Sequence, residues 1–141
     1  MSAEFVDTNV LIYAVDSSAG PKQRIAQDLL LRLDRDRNGA VSIQILMEFY
    51  SVGTRTLGLP SDEAEQVIDG FAKWAIHRPA LNDVVSACGV HRRHGIAWWD
   101  AMLIHSATQL ECDILWTEDL SHGQQYGSVV VRNPFAEAAS V

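Results

Sequence analysis

Four acidic residues occur in stretches of this chain that offer them no basic partner: Asp7, Glu48, Asp100 and Asp119. No Lys or Arg precedes Lys22, so Asp7 has no local cation. None lies between Arg37 and Arg55, where Glu48 is the only acid. None lies between Arg93 and Arg132, the stretch that holds Asp100, Glu111, Asp113, Glu118 and Asp119. Glu48 and Asp100 sit among large apolar neighbours, Leu46, Met47 and Phe49 for one and Trp98, Trp99, Met102 and Leu103 for the other. A carboxylate half-buried in such surroundings is costly unless a positive group meets it. A bound divalent ion is the natural candidate where the chain supplies none. Oxygen donors without His or Cys suit Mg²⁺ or Mn²⁺. One or two such ions activate water and stabilise a leaving oxygen in phosphodiester cleavage. Each acid also has a plain structural reading: Asp7 and Asp100 as helix caps, Asp119 as a turn residue, Glu48 as the partner of a distant Arg. Glu111, Asp113 and Glu118 read as solvated.

The elements that must position these acids follow from hydrophobic periodicity and punctuation. Strands are expected at 3–6, 40–42, 75–77, 114–117 and 129–132. Helices are expected at 9–15, 21–35, 43–57, 61–73, from 82 to about 95, and 98–110. Asp7 or Thr8 caps the first helix, Pro21 starts the second and Ser61 caps the fourth. Asn82 and Asp83 open the fifth, which ends near Gly95. Strands alternating with helices imply an α/β fold, a three-layer α/β/α sandwich around a mainly parallel sheet. In such folds the functional crevice lies at the C-terminal ends of the strands. Asp7 directly follows the first strand and Asp119 the fourth, with Thr117 on the same side as Asp119 by strand alternation. Glu48 lies on the helix after the second strand, and Asp100 opens the helix before the fourth. All four acids are therefore expected at one crevice.

Bulk properties bound the class. The 141 residues suit a single domain over 1–141, with 136–141 as a loose tail. Hydrophobic residues make up 48% and charged residues 21%, an ordinary globular balance. The net charge of −7 counts against simple non-specific nucleic-acid binding, but not against a nuclease whose own site is a pool of carboxylates. Cys88 and Cys112 form no framework, the N-terminus lacks signal-peptide character and no apolar run approaches a membrane span. A reduced, cytoplasmic protein without membrane contact is expected.

The same residues carry a family resemblance. Phe5-Val6-Asp7-Thr8-Asn9-Val10-Leu11-Ile12 resembles the opening of PIN-domain proteins, and residues 43–50, ending Met47-Glu48-Phe49-Tyr50, resemble their second segment. Trp99-Asp100-Ala101-Met102-Leu103-Ile104 is similar to the third. Leu115-Trp116-Thr117-Glu118-Asp119-Leu120, followed by His122-Gly123-Gln124 and Asn133-Pro134-Phe135, resembles the ending of the VapC-like members. The resemblance implies an α/β/α sandwich with Asp7, Glu48, Asp100 and Asp119 as metal-site acids, Thr117 supporting them, and Thr8 and Asn9 orienting water or ligands. It further implies Mg²⁺- or Mn²⁺-dependent RNA cleavage, a cognate VapB-like antitoxin and homodimers. His105 departs from the pattern, since relatives usually carry a small residue there.

Other groups in the chain compete with these acids for a functional role. Cys88, His91 and His94 recur at a spacing of three on one expected helix, where ligands fan around the axis, and they read better as a polar surface stripe than as a soft-metal site. Arg92 and Arg93 are candidate RNA phosphate contacts. Trp98 and Trp99 could stack a base, but burial is the favoured reading for them. A phosphatase using Asp7 as nucleophile would want a second Asp two residues on, where Asn9 stands. A non-catalytic binding module of the same fold is the other alternative.

Overall fold

The computed structural model describes residues 2–136. The first strand, β1 (Ala3–Val6), runs directly into α1 (Thr8–Val15) through Asp7, whose carboxylate accepts the Thr8 N–H. Next comes α2 (Pro21–Asp36), started by Pro21 and closed by Arg37 in the left-handed region at φ 56°. Then follow β2 (Gly39–Ser42), α3 (Ile43–Arg55), α4 (Ser61–Asp69) and β3 (Ala75–His77). After them come α5 (Leu81–His94), ended by Gly95 at φ 63°, and α6 (Trp98–Gln109). The chain continues through β4 (Cys112–Trp116), β5 (Gln125–Tyr126) and β6 (Val129–Arg132).

The strands form one six-stranded sheet in the order β3-β2-β1-β4-β6-β5. All pairings are parallel except β5 with β6. Phe5 of β1 lies opposite Ala40 on one side and Leu115 on the other. Parallel strands covered on both faces read as continuous apolar runs. Phe5, Val6, Ala40, Val41, Leu115, Val129 and Val131 are accordingly fully buried. α1 packs on α2 and α3, and α3 on α4, while α5 pairs with α6. The crossovers from β1 to β3 move along the sheet in one direction, and the α5–α6 crossover returns past β2 and β1 to β4. Right-handed crossovers therefore place the two helix groups on opposite faces.

This is the expected α/β/α arrangement, with local differences. Helix α4 stops at Asp69 rather than near Lys73, and residues 70–74 turn so that the Trp74 indole donates to Asp34 Oδ1 at 3.1 Å. Ser61 is the first residue of α4 rather than its cap; its hydroxyl pairs with the Tyr50 hydroxyl at 2.7 Å. Strand β5 is only two residues long, too short to register as a pattern, and β4 begins at Cys112 rather than Ile114. The tail expected at 136–141 lies, beyond Ala136, outside the described residues. No helix among the described residues is long and apolar enough to cross a membrane.

Candidate active site

β1 is flanked by β2 and β4, and the chain leaves β1 toward β2 but enters β4 from the other face. This is the topological switch point, where α/β sheets open a crevice at the strands' C-terminal ends. Asp7, Glu48, Asp100 and Asp119 all line one cavity there, delivered respectively by the β1–α1 junction, α3, the first turn of α6 and the segment after β4.

Asp7 is the most deeply set of the four. It is 5% exposed and accepts from the Thr8 N–H at 2.7 Å, the Thr117 hydroxyl at 2.8 Å and the Asn9 amide at 3.3 Å. Burial nevertheless prevails over these hydrogen bonds. With the charges of Asp119 and Glu48 adding to it, burial pushes the Asp7 carboxyl up to about 7 when no cation is bound. Asp100 is half-buried and has no hydrogen-bond or ion-pair partner among the described residues; burial, then the charge of Asp119, raises its carboxyl. Asp119 and Glu48 are exposed. The apolar neighbours of Glu48 therefore do not bury it: its helix turns Phe49 and Leu46 to the core and leaves Met47 and Glu48 on the open face.

The supporting residues bind the acids into one network. The Thr8 hydroxyl donates to Glu48 Oε1 at 3.1 Å. The Asn9 amide reaches Asp7, Thr117 Oγ1 at 3.3 Å and Asp119 Oδ2 at 3.2 Å, bridging the two strand-end acids. Thr117 Oγ1 also accepts the Asp119 N–H at 3.1 Å. Asn9 Oδ1 and Gln44 Oε1 are buried without a partner among the described residues, and Gln44 lines the same cavity. No salt bridge among the described residues reaches any of the four acids. The cleft thus holds an excess of oxygen acceptors and no paired cation, a donor set that fits a hard divalent ion.

The cations near the site are committed elsewhere. Lys22 pairs with Glu118 at 3.0 Å and lies over the Tyr13 ring, and Tyr13 also donates to Glu118. Glu118 is therefore partly buried and paired, not solvated. Arg32 pairs with Glu4 at 3.1 Å. Arg92 and Arg93 are exposed in the last turn of α5 and do not line the acid cavity. Trp99 corrects the expectation of a buried ring: it is 68% exposed at the cavity's edge, while Trp98 is half-buried. Cys88, His91 and His94 do not bring their ligand atoms together among the described residues; His91 Nδ1 meets the Ile96 carbonyl at 2.6 Å and His94 packs edge-on against Tyr126.

A cluster that periodicity and spacing did not reveal lies beneath α5 and α6. His105 Nε2 is 2.8 Å and His77 Nε2 is 3.6 Å from Asp83 Oδ1, and all three side chains are buried. Asp83 was visible only as a helix-start residue and His105 only as an odd residue on α6. Their meeting depends on how β3 is placed beside the helix pair.

Comparison with known proteins agrees with this architecture. A sequence search of curated proteins finds no match. The fold is similar to a toxin–antitoxin complex from Klebsiella pneumoniae (TM-score 0.70, 19% identity, 94% of this chain and 98% of that one). It is also similar to VapC20 of Mycobacterium tuberculosis, a Sarcin-Ricin loop cleaving toxin (TM-score 0.68, 16% identity, 83% and 92%). A third likeness is to DNA-bound VapBC from Salmonella typhimurium (TM-score 0.65, 15% identity, 95% and 99%). The PIN domain family model matches residues 5–125, a segment that begins before Asp7 and runs past Asp119. The chain therefore belongs to the PIN domain family.

Proposed function

We propose that this chain is a Mg²⁺- or Mn²⁺-dependent endoribonuclease and the toxin component of a VapBC-like toxin–antitoxin pair. One observation carries the reading: four carboxylates converge at the switch point of the sheet with no Lys or Arg paired to them among the described residues. Asp7, Asp100 and Asp119, with Glu48, would hold one or two divalent ions. A bound ion supplies activation of water and stabilisation of charge on the cleaved phosphodiester.

The chain's own groups do the positioning. Thr117 and the Thr8 N–H fix both oxygens of Asp7, while Asn9 holds Asp119 beside it. Thr8 orients Glu48 from the opposite side. Asp100 has no hydrogen-bond or ion-pair partner among the described residues, which leaves its carboxylate available to a ligand. Among the described residues no histidine lines the cavity, so 2′-hydroxyl chemistry has no histidine pair there and the expected products carry a 5′-phosphate and a 3′-hydroxyl. Exposed Arg92 and Arg93 are candidate phosphate contacts and Trp99 a stacking surface for a base.

The similar Klebsiella pneumoniae structure is a toxin–antitoxin complex, and this surface has features that suit such an assembly. An Arg or Lys inserted among the carboxylates would satisfy them and exclude the ion. Beside the acids, Met47 and Tyr50 of α3 border an apolar groove with Ile68 of α4, suited to an amphipathic antitoxin helix. The chain is read as a single PIN-like domain, homodimeric and cytoplasmic. The phosphatase alternative loses ground because Asn9 serves as a donor bridging two acids. A non-catalytic binding module gives no reason to keep a metal-ready site.

The experiment is to map RNA ends in cells expressing the wild type or Asp7→Asn. New 5′-phosphate ends at defined sites, present only with the wild type, are expected. The same ends with both proteins would contradict the proposal.

A further inference from the structure

The buried His77–Asp83–His105 cluster has features that hydrogen bonding alone does not require. Its members come from three elements, β3, α5 and α6, and offer two imidazole nitrogens and one carboxylate oxygen. These three atoms lie within 4.8 Å of one another, with separations of 2.8 and 3.6 Å to Asp83 Oδ1. Four-coordinate zinc, with bonds near 2 Å, sets its ligands roughly 3.3 Å apart, so sub-ångström side-chain adjustments bring the two measured pairs to that spacing.

The groups behind the cluster match what metal ligands need. His77 Nδ1 is held by Ser106 Oγ at 2.8 Å, which turns Nε2 toward Asp83. The other oxygen of Asp83 accepts the Ala80 N–H at 2.8 Å, which fixes the carboxylate. Ligating histidines and carboxylates are characteristically oriented in this way through their second polar atom. Gln109 Nε2 lies 3.5 Å from His105 Nε2, so turning that amide over would present its oxygen as a fourth ligand. No Lys or Arg is paired with Asp83 among the described residues. Imidazole nitrogen selects zinc-class ions over Mg²⁺, so the donor set differs from that of the acid cavity.

We propose that His77, Asp83 and His105 form a second metal site, for a zinc-class divalent ion, that ties β3 to the α5–α6 pair. The site is separate from the acid cavity but linked to it by one residue, since Ser106 both holds His77 and lines that cavity. Its existence does not depend on ribonuclease activity.

The test uses the whole protein in saturating Mg²⁺, which occupies the acid cavity, titrated with Co²⁺ as a spectroscopic probe. One equivalent of Co²⁺ should bind with the strong visible absorption of a low-coordinate nitrogen-containing site, and Zn²⁺ should displace it. Asp7→Asn should retain the band. His105→Gln should lose it, and Ser106→Ala, which removes only the hydroxyl behind His77, should weaken Co²⁺ binding by about tenfold to a hundredfold. If His105→Gln does not fold, Ser106→Ala alone decides the assignment. A folded wild type that develops no band, or a band of full affinity in both His105→Gln and Ser106→Ala, overturns the proposal and leaves the cluster a hydrogen-bonded staple. RNA cleavage plays no part in the readout, so failure of the ribonuclease reading and failure of this one are distinguishable.

Discussion

Asp7 carries the clearest consequences at the scale of single residues. With no ion bound, burial pushes its carboxyl up to about 7 in the folded chain, from an ordinary value of 3.8. Between those pH values the folded state binds more protons than the unfolded chain, so stability falls as pH rises from about 4 to 7. This one group's contribution is on the order of 4 kcal/mol. Urea midpoints in chelator should therefore show the wild type losing ground to Asp7→Asn between pH 5 and pH 8; parallel profiles would mean that burial of Asp7 is not felt. Thr117→Val removes the hydroxyl that donates to Asp7 and accepts from the Asp119 N–H. It should cost about 1–3 kcal/mol, and the Asp7 titration followed by carboxyl NMR should move higher still. An unmoved titration would show that Thr117 does not hold Asp7. The four acids were legible in the sequence because the absence of Lys and Arg around them can be read directly. The exposure of Glu48 was not, since it depends on which face of α3 meets the core. The pairing of Lys22 with Glu118 was also hidden, because it crosses 96 positions of the chain.

At the scale of elements, periodicity located α1 to α6 and, among the described residues, each strand but β5. The boundaries that escaped were set by contacts between distant segments. Residues 70–74 leave the helix because the Trp74 ring packs against Gly39: a Cβ there would lie 2.4 Å from the ring, within van der Waals overlap. Gly39 opens β2, and β2 leads through Ser42 into the helix bearing Glu48. Gly39→Ala should therefore cost about 1–3 kcal/mol by overpacking, measured by urea unfolding. The cost should shrink in a Trp74→Leu background, because the two changes act on one contact. Equal costs in both backgrounds would place the strain elsewhere.

At the scale of the whole molecule, the sheet order decides that acids far apart in sequence meet. Asp7 and Asp119 arrive from adjacent parallel strands, and the two helix groups bring Glu48 and Asp100 over the same strand ends from opposite faces. Alternating strands and helices made this meeting legible before any coordinates, since parallel sheets place their crevices at the carboxyl ends. The His77–Asp83–His105 meeting on the same scaffold was not, because no comparable rule places residues beneath a crossover helix pair. The net charge of −7 offers a polyanion little general attraction, so the proposed RNA binding would be concentrated at the cleft. The central claim is tested most directly with purified, nuclease-free protein and RNA, comparing Mg²⁺ with excess chelator for the wild type and Asp100→Asn. Cleavage is expected in Mg²⁺ and not in chelator, leaving 5′-phosphate ends, and slower by about a hundredfold or more in the variant. Cleavage of equal rate in chelator, or by Asp100→Asn, would contradict it.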